Sequence, residues 1–242
     1  MKHILIISVI ALTACSAQEA RPVLANQTEA AMDSVVAPTL KPGQHWTFRR
    51  IDLWRNEETE RFRQELVFEE ADRWMTRWTI LNSDDPVRRG SITGELLDPA
   101  SHAYADKKIS GRYEPLRFPL ATGKTWSFKY EVDGGLRKTA IQQQASVTGW
   151  ETVTVPAGTY RALRVEHHGR YTASEIAYSW SGTIRETYWY VPAISRVVMR
   201  EYRDTRGDGG TWDQWRDELV DYSATNPQAL PAKESSGLPG NG

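Results

Sequence analysis

The sequence predicts an all-β domain made of one strongly curved antiparallel sheet, a half-barrel or an open barrel. Apolar and polar residues alternate with a period of two in several segments, which is typical of strands that bury one face. Pro-x-Gly and Gly-Gly turn signals separate these segments, and little of the central chain has the spacing of an amphipathic helix. A sheet with one aromatic face must curl or be covered, so a two-sheet β-sandwich is the alternative.

The 242 residues divide into four parts by composition. Residues 1–14 have the pattern of a signal peptide, and residues 15–38 are rich in small and polar residues, as expected of a flexible tether. Residues 39–223 carry the strand signals, and residues 224–242, rich in Pro, Gly and Ser, are expected to be disordered. Because 30 Lys and Arg residues balance 31 Asp and Glu residues, no basic face is expected and nucleic acid is an unsuitable partner.

The N-terminus combines a basic start, the short apolar run from Ile4 to Leu12, and the ending Leu12-Thr13-Ala14-Cys15. This ending resembles the lipobox of bacterial lipoproteins. The resemblance implies that residues 1–14 are removed and that Cys15 becomes the first residue and carries acyl chains such as palmitate. The alternatives are an ordinary signal peptide that is cut nearby, or a buried cysteine. No other cysteine is present to pair with Cys15. Ser16 resembles the sorting position of lipoproteins sent to the outer membrane, where the domain would face the periplasm.

Three segments predict strands of the first and second thirds of the domain. Residues 46–49 alternate, Trp74, Trp78 and Ile80 share one face of a second segment, and residues 126–132 alternate over seven positions.

Three later turn signals predict hairpins. Pro156-Ala157-Gly158 separates two strands, and Pro192 to Ser195 separates residues 188–191 from residues 196–202. Asp208-Gly209-Gly210 leads into residues 215–222. This last segment also has helical spacing at Trp212, Trp215, Leu219 and Tyr222, but a strand that pairs back on residues 196–202 is favoured because it follows a turn.

An internal echo suggests two β-meander halves within one continuous sheet. The pattern Leu-x-x-Gly-x-x-Trp-Ser/Thr-Phe-Lys/Arg occurs at residues 40–49 and again at residues 120–129. In both copies the glycine would turn the chain into a strand whose Trp and Phe point to the same side. Duplication and a shared local solution both explain the echo.

The segment from Val153 to Val165 contains Val-Pro-Ala-Gly-Thr-Tyr and is followed by Tyr188-Trp189-Tyr190-Val191-Pro192 and the strand Val197 to Tyr202. These motifs resemble a family of periplasmic β-rich domains of unknown function. The resemblance covers roughly residues 123–222 and implies a fold but no catalytic residue. The architecture is more distantly similar to the curved-sheet lipoprotein carriers of the bacterial envelope.

Aromatic residues at strand-period positions are the candidate binding surface. The chain has ten Trp and ten Tyr residues, which can either fill the interior of a curved sheet or line an apolar groove. The seven candidates are Trp46, Phe48, Trp74, Trp78, Trp126, Phe128 and Tyr130.

No pattern in the sequence indicates a catalytic or metal site. Adjacent residues on a strand point to opposite faces, so His167 and His168 are not expected to share a metal ion. Asp204, Asp208 and Asp213 surround a glycine-rich turn without the spacing of a calcium loop. The acidic pairs 57–58, 69–70 and 84–85 are sequence neighbours, which cannot flank a sugar as a glycosidase requires. No catalytic residue, cofactor or metal is therefore expected.

These observations predict a non-catalytic, lipid-anchored protein of the bacterial envelope. It would bind an apolar ligand or an envelope protein through its aromatic β surface. One alternative is a structural or assembly component that offers a sheet edge to a partner. Another is a hydrolase of envelope polymers with carboxylates that converge from distant strands.

Overall fold

The computed structural model describes residues 34–70, 73–83, 91–96 and 108–223. The signal segment, Cys15, most of the predicted tether and the predicted disordered tail lie outside the described residues. The described chain forms eleven antiparallel strands, which are β1 (His45–Asp52), β2 (Glu57–Glu70), β3 (Arg73–Ile80), β4 (Ser91–Leu96), β5 (Lys108–Gly111), β6 (Thr125–Asp133), β7 (Lys138–Val155), β8 (Gly158–Ser174), β9 (Ser179–Val191), β10 (Arg196–Arg206) and β11 (Thr211–Ser223).

All eleven strands belong to one sheet, which confirms the predicted fold class over the two-sheet alternative. Their order is β4-β3-β2-β1-β11-β10-β9-β8-β7-β6-β5. Strands β1 to β4 form one meander and strands β5 to β11 form the other, and pairing of β1 with β11 joins them. Within the described residues, β4 and β5 do not pair with each other, so the sheet is not closed.

Chain length alone requires this sheet to curve. Strands β4 and β5 follow one another in sequence but lie at opposite edges of the sheet. The connection from Leu96 to Lys108 spans roughly 40 Å when fully extended. A flat sheet of eleven strands is roughly 48 Å wide, at about 4.8 Å between neighbouring strands. The two edges must therefore approach each other.

The internal echo has the same local structure in both copies. Gly43 has φ = 86° and Gly123 has φ = 85°, a left-handed conformation that glycine adopts without a steric penalty. The N–H of Gly43 donates to the carbonyl of Leu66 on β2 (2.6 Å), and that of Gly123 donates to the carbonyl of Val147 on β7 (2.8 Å). Each glycine thus precedes a strand, β1 or β6, and fixes it against the next strand along the chain.

The buried apolar residues form two separate core clusters. The first core cluster lies mainly on β6 to β9 and consists of Val35, Leu116, Leu120, Trp126, Phe128, Tyr130, Val132, Ile141, Ala145, Val147, Leu163, Val165, Tyr171, Ala173, Ile184, Tyr188, Tyr190 and Val197. The second core cluster joins β1, β2 and β11 to the far ends of β7 to β10 and consists of Leu40, Trp46, Phe48, Phe62, Leu66, Val153, Val155, Ala162, Trp189, Val191, Ile194, Val198 and Leu219.

A β-bulge in β7 explains how one strand contributes to both clusters. The register with β8 shifts between Val147 and Gly149, and Gly149 has φ = 140°. One extra residue reverses the alternation, so Val147 faces the first cluster while Val153, six positions later, faces the second. The tip of the β7–β8 hairpin then contacts β11, where the N–H of Ala157 donates to the carbonyl of Leu219 (3.0 Å).

The predicted hairpins are present, and the ambiguous segment is a strand. Strand β11 pairs with β10 from Met199 opposite Glu218 to Thr205 opposite Thr211, which confirms strand over helix for residues 212–222. A short 3-10 turn at Pro192–Ile194 links β9 to β10. Val35 lies in the segment predicted as a tether, but it pairs with Leu120 and is buried in the first core cluster.

Candidate functional site

The predicted aromatic surface is divided between the two core clusters. Trp46 and Phe48 are buried in the second, and Trp78 is partly buried against it. The other three described candidates, Trp126, Phe128 and Tyr130, are buried in the first core cluster. Trp74 lies on β3, but its side chain is outside the described residues. The seven candidates therefore do not form one continuous described surface.

In the second cluster the candidate side chains pack against the chain's own residues. The ring of Phe62 stacks between Phe48 (centroids 5.5 Å apart) and Trp78 (4.3 Å). The guanidinium of Arg196 lies 4.4 Å from the ring centroid of Trp46, and it donates to the side-chain carbonyl of Gln64. The buried Arg196 thus closes this cluster over Trp46.

The first cluster is closed by the segment that precedes β6. The indole N–H of Trp126 donates to the backbone carbonyl of Glu114 (2.8 Å). Tyr113 packs edge-on against Tyr130 (5.0 Å) and Phe128 (6.4 Å). Phe118 meets Tyr190 in the same way. Aromatic positions that could have lined a groove are instead covered by residues 113–118.

A buried polar network lies between the two clusters, and sequence reasoning missed it. We call Gln143, His167, Glu186, Tyr188 and Arg200 the inner polar network. Nδ1 of His167 is 3.0 Å from Oε1 of Gln143, and the Gln143 amide donates to Oε2 of Glu186 (3.4 Å). The Tyr188 hydroxyl also donates to Oε2 of Glu186 (3.1 Å), and Arg200 donates to Oε1 (2.5 Å). All five side chains are buried.

A second ion pair continues this network across the seam between the meanders. Arg50 on β1 donates through two nitrogens to both carboxylate oxygens of Asp217 on β11, at 2.8 and 2.9 Å. The guanidinium groups of Arg50 and Arg200 lie over the ring of Trp215, 4.0 and 4.9 Å from its centroid. Arg50 also lies 5.7 Å from the ring centroid of Phe62 in the second cluster.

Burial and charge determine the protonation states of the network. Burial is the largest influence on His167 and lowers its pKa to about 4, against a weaker opposing effect of Glu186. Burial alone would raise the pKa of Glu186, but the positive charge of Arg200 and its hydrogen bonds outweigh this effect and lower that pKa. At neutral pH the network therefore holds a neutral imidazole beside a carboxylate–guanidinium pair.

The network has acid–base groups but no access to solvent. His167 is 1% exposed and Glu186 5%. The sequence signal that could have revealed it is a polar residue in the apolar phase of an alternating strand. Gln143 lies between Ile141 and Ala145 in this phase, and Glu186 lies between Ile184 and Tyr188. Such buried polar groups favour one register of the strands, because any other register leaves them unsatisfied.

The structure separates the other titratable candidates. His167 is buried and His168 is exposed, as the strand alternation predicts. Asp208 accepts a hydrogen bond from the Gly210 N–H (3.0 Å) within its turn. Asp204 and Asp213 face each other on β10 and β11. Burial raises the pKa of Asp204, and the charge of Asp213 raises it further.

The acidic pairs of the sequence form no shared site in the described part of the chain. Glu58 pairs with Arg61 (2.8 Å), whereas the side chains of residues 69–70 and residues 84–85 lie outside it. Among the residues that the structure describes, no group of three or more His, Cys, Asp or Glu side chains could hold a metal ion.

An open cavity of about 620 Å³ crosses β5 to β8. It is lined by Ser110, Gly111, Lys129, Tyr130, Glu131, Ala140, Ile141, Gln142, Arg170, Tyr171 and Thr172. Charged and exposed side chains such as Lys129, Glu131 and Arg170 form much of its border. Its lining combines these charged side chains with Tyr130, Ile141 and Tyr171 of the first core cluster, so it is more polar than the usual lining of a lipid pocket.

Exposed apolar side chains gather at one end of the sheet. Four hairpin tips lie side by side there, between β1 and β2, β10 and β11, β8 and β9, and β6 and β7. We call this end the tip rim. It carries five exposed large apolar residues, which are Trp54, Leu136, Ile176, Tyr178 and Trp212.

Comparison with known proteins finds a solved structure of similar fold but assigns the chain to no family. No family model matches the chain, and no curated protein is similar to it. The predicted resemblance to the periplasmic β-rich family and to the lipobox therefore stays a prediction.

The solved structures that are similar to this chain include two described as lipoproteins and one described as an exported protein. A candidate lipoprotein from Parabacteroides distasonis is 12% identical, with a TM-score of 0.50, and the match covers 79% of this chain and all of that one. A candidate exported protein with a YmcC-like fold from Bacteroides fragilis is 13% identical, with a TM-score of 0.46 and coverage of 78% and 99%. The hypothetical lipoprotein YmcC from Escherichia coli is 15% identical, with a TM-score of 0.39 and coverage of 78% and 87%. The first likeness shows the fold alone, and the other two add nothing to it.

No helix within the described ranges is long and apolar enough to cross a membrane.

Proposed function

We propose that this chain is a non-catalytic lipoprotein of the bacterial envelope, anchored through Cys15, that binds an envelope protein through its outer surface. The filled interior carries the proposal. The described aromatic candidates pack against the chain itself in two core clusters. This packing favours a protein partner over an apolar ligand held within the sheet. If the partner stays bound permanently, the protein would be a structural or assembly component of the envelope.

The anchor rests on the Leu12-Thr13-Ala14-Cys15 motif, and Ser16 supports an outer-membrane destination that faces the periplasm. The first solved structure with this fold is described as a candidate lipoprotein, which agrees with the proposal. The non-catalytic role is supported by the burial of the inner polar network, whose acid–base groups would need the sheet to open before they met a substrate.

The anchor is tested by metabolic labelling with a palmitate analogue in cells that express the full chain. The wild-type protein should be labelled and recovered in the outer-membrane fraction. Cys15→Ser should lose both the label and the membrane fraction, whereas Ser16→Ala should keep the label. A labelled Cys15→Ser protein contradicts the anchor.

The partner is tested by formaldehyde cross-linking of intact cells, followed by purification and mass spectrometry. We expect a specific adduct with an envelope protein. Native mass spectrometry of the purified domain tests the ligand alternative, because a stoichiometric bound lipid would favour an apolar ligand and contradict the protein partner.

A further inference from the structure

The exposed apolar residues of the tip rim are concentrated rather than scattered. Among the described residues, eight large apolar side chains are exposed, and five of them lie on these four tips. Ile176 is 93% exposed and Leu136 is 78% exposed, while Trp212 and Tyr178 are each 59% exposed. Such a concentration on one end of a soluble domain marks an interaction surface.

The four tips are joined to one another, so they present a single surface. The N–H of Leu53 donates to the carbonyl of Gln214 on β11 (3.2 Å), and the N–H of Gly207 donates to the carbonyl of Ser181 on β9 (3.0 Å). Arg137 on the β6–β7 tip donates to Glu175 on the β8–β9 tip (2.9 Å). These contacts hold neighbouring tips in register along the rim.

The charges of the tip rim are balanced. Arg55 pairs with Asp52 (2.9 Å), Arg137 pairs with Glu175 (2.9 Å), and Arg206 lies 3.8 Å from Asp208. Because an acidic side chain accompanies each of these arginines, the rim offers no net attraction to anionic lipid headgroups. Apolar side chains surrounded by paired charges are instead the usual composition of a protein interface.

The position of the lipid anchor also favours a protein, rather than the membrane, as the partner of the tip rim. The described chain begins at Ser34, and Val35 pairs with Leu120, which precedes the start of β6 and so lies at the end of the sheet opposite the tip rim. The chain from Cys15 to Ser34 reaches roughly 65 Å when fully extended. The chain from Leu120 to Asp133, where β6 ends beside the tip rim, spans roughly 43 Å when extended. To bring the tip rim to its own membrane, the tether would have to run back along most of the domain, because it leaves the domain at the end opposite the rim.

We infer that the tip rim, with Trp54, Leu136, Ile176, Tyr178 and Trp212, is the docking surface for a periplasmic protein that offers apolar pockets between paired charges. This inference rests on the proposed function, which it deepens by assigning the surface and its direction away from the lipid. The aromatic residues of the rim would supply most of the binding energy.

Site-specific photo-cross-linking in cells that express the full chain tests the inference. Benzoylphenylalanine is placed at the position of Tyr178 and, as a matched control, at Val36, an exposed apolar residue at the other end of the domain (73% exposed). The Tyr178 position should give an adduct with one envelope protein, and the Val36 position should not. Ile176→Ser together with Trp212→Ser should lower the yield of the adduct at least tenfold. Val36→Ser should leave the yield unchanged.

The other outcomes overturn the inference and identify the alternative. An adduct from Val36 with none from Tyr178 would place the partner elsewhere and leave the proposed function intact. An adduct between two copies of the chain would make the rim a self-association surface. Sedimentation of the unlipidated domain with phosphatidylglycerol vesicles, abolished by Trp212→Ser, would assign the rim to a lipid surface. If neither position gives an adduct, the tip rim is not the docking surface. The formaldehyde experiment then tests the proposed function separately.

Discussion

A few charged residues occupy strand positions that would otherwise be apolar, and they place buried charge inside this sheet. Glu186 replaces an apolar side chain there, and its carboxylate accepts hydrogen bonds from Arg200, Tyr188 and Gln143. The buried ion pair of Glu186 with Arg200 adds little stability relative to an apolar pair, but the loss of one partner leaves an uncompensated charge.

Glu186→Gln should therefore destabilise the fold by about 3–5 kcal/mol, because it leaves the Arg200 guanidinium buried without its carboxylate. The matched control is Glu166→Gln. Glu166 pairs with Arg164 (2.7 Å) on the surface, so its loss should cost less than about 1 kcal/mol. Urea unfolding of the three proteins measures both values, and equal costs for the two variants would contradict a buried network.

His167 should make stability depend on pH. Its pKa is about 4 in the folded protein and 6.5 in the unfolded chain, so the unfolded state binds more protons between these values. Stability is therefore lost as pH falls from about 6.5 to about 4, by about 3 kcal/mol in total. Glu186, whose pKa is also lowered, adds a further loss at the acidic end of this range.

His167→Gln should remove the part of this slope that belongs to the imidazole, whatever its effect on stability at pH 7. The exposed neighbour provides the control, because His168→Gln should keep the wild-type slope. Denaturant midpoints between pH 4 and pH 7 measure the slopes. A wild-type slope in His167→Gln would show that the imidazole is not buried in its neutral form.

At the scale of elements, bulges and close backbone contacts decide where each strand points. The bulge between Val147 and Gly149 reverses the alternation of β7, so Val147 and Val153 face different core clusters. A second control point lies on β9, where Gly182 pairs with Tyr171 on β8 and Arg206 on β10. A Cβ at Gly182 would meet the Thr205 carbonyl oxygen and would come within 2.6 Å of the Tyr171 ring.

Gly182→Ala should cost about 1–3 kcal/mol, because the new methyl group must displace a backbone carbonyl or a buried ring. Gly134→Ala is the matched control. The nearest atom to a Cβ at Gly134 is the Arg137 carbonyl oxygen at 3.6 Å, which is ordinary contact. Thermal unfolding followed by circular dichroism compares the two, and a neutral Gly182→Ala would mean that β8 and β10 leave more space than the structure shows.

At the scale of the whole molecule, the seam of β1 with β11 makes one cooperative unit of two meanders. Each meander contains the same glycine turn, Trp and Phe, yet Trp46 and Trp126 lie in different core clusters. The clusters share β7, β8, β9 and β10, and the Arg50–Asp217 pair crosses the seam between them. Loss of either cluster should therefore unfold the other.

Trp46→Ala and Trp126→Ala should each lower stability by about 3–5 kcal/mol, the usual cost of removing a buried Trp side chain. Both variants should still unfold in a single transition, because the strands that carry one cluster also carry the other. Coincident transitions by circular dichroism and tryptophan fluorescence test this. Two separate transitions in either variant would show that the meanders are independent.

Local sequence patterns predicted β1, β3, β6, the later hairpins and the two-meander plan, but not β2, β4 or β5. Alternation with a period of two and Gly or Pro turns are local properties, so β6, the β7–β8 hairpin and the separation of His167 from His168 could be predicted from neighbouring residues. Only the tertiary structure decided which side chains share a space. The bulges in β7 and β10 shift the alternation by one residue, and pairing of β1 with β11 joins residues about 170 positions apart. Strand sequences do not carry that register, which is why the seven aromatic candidates were predicted as one surface and the inner polar network was missed.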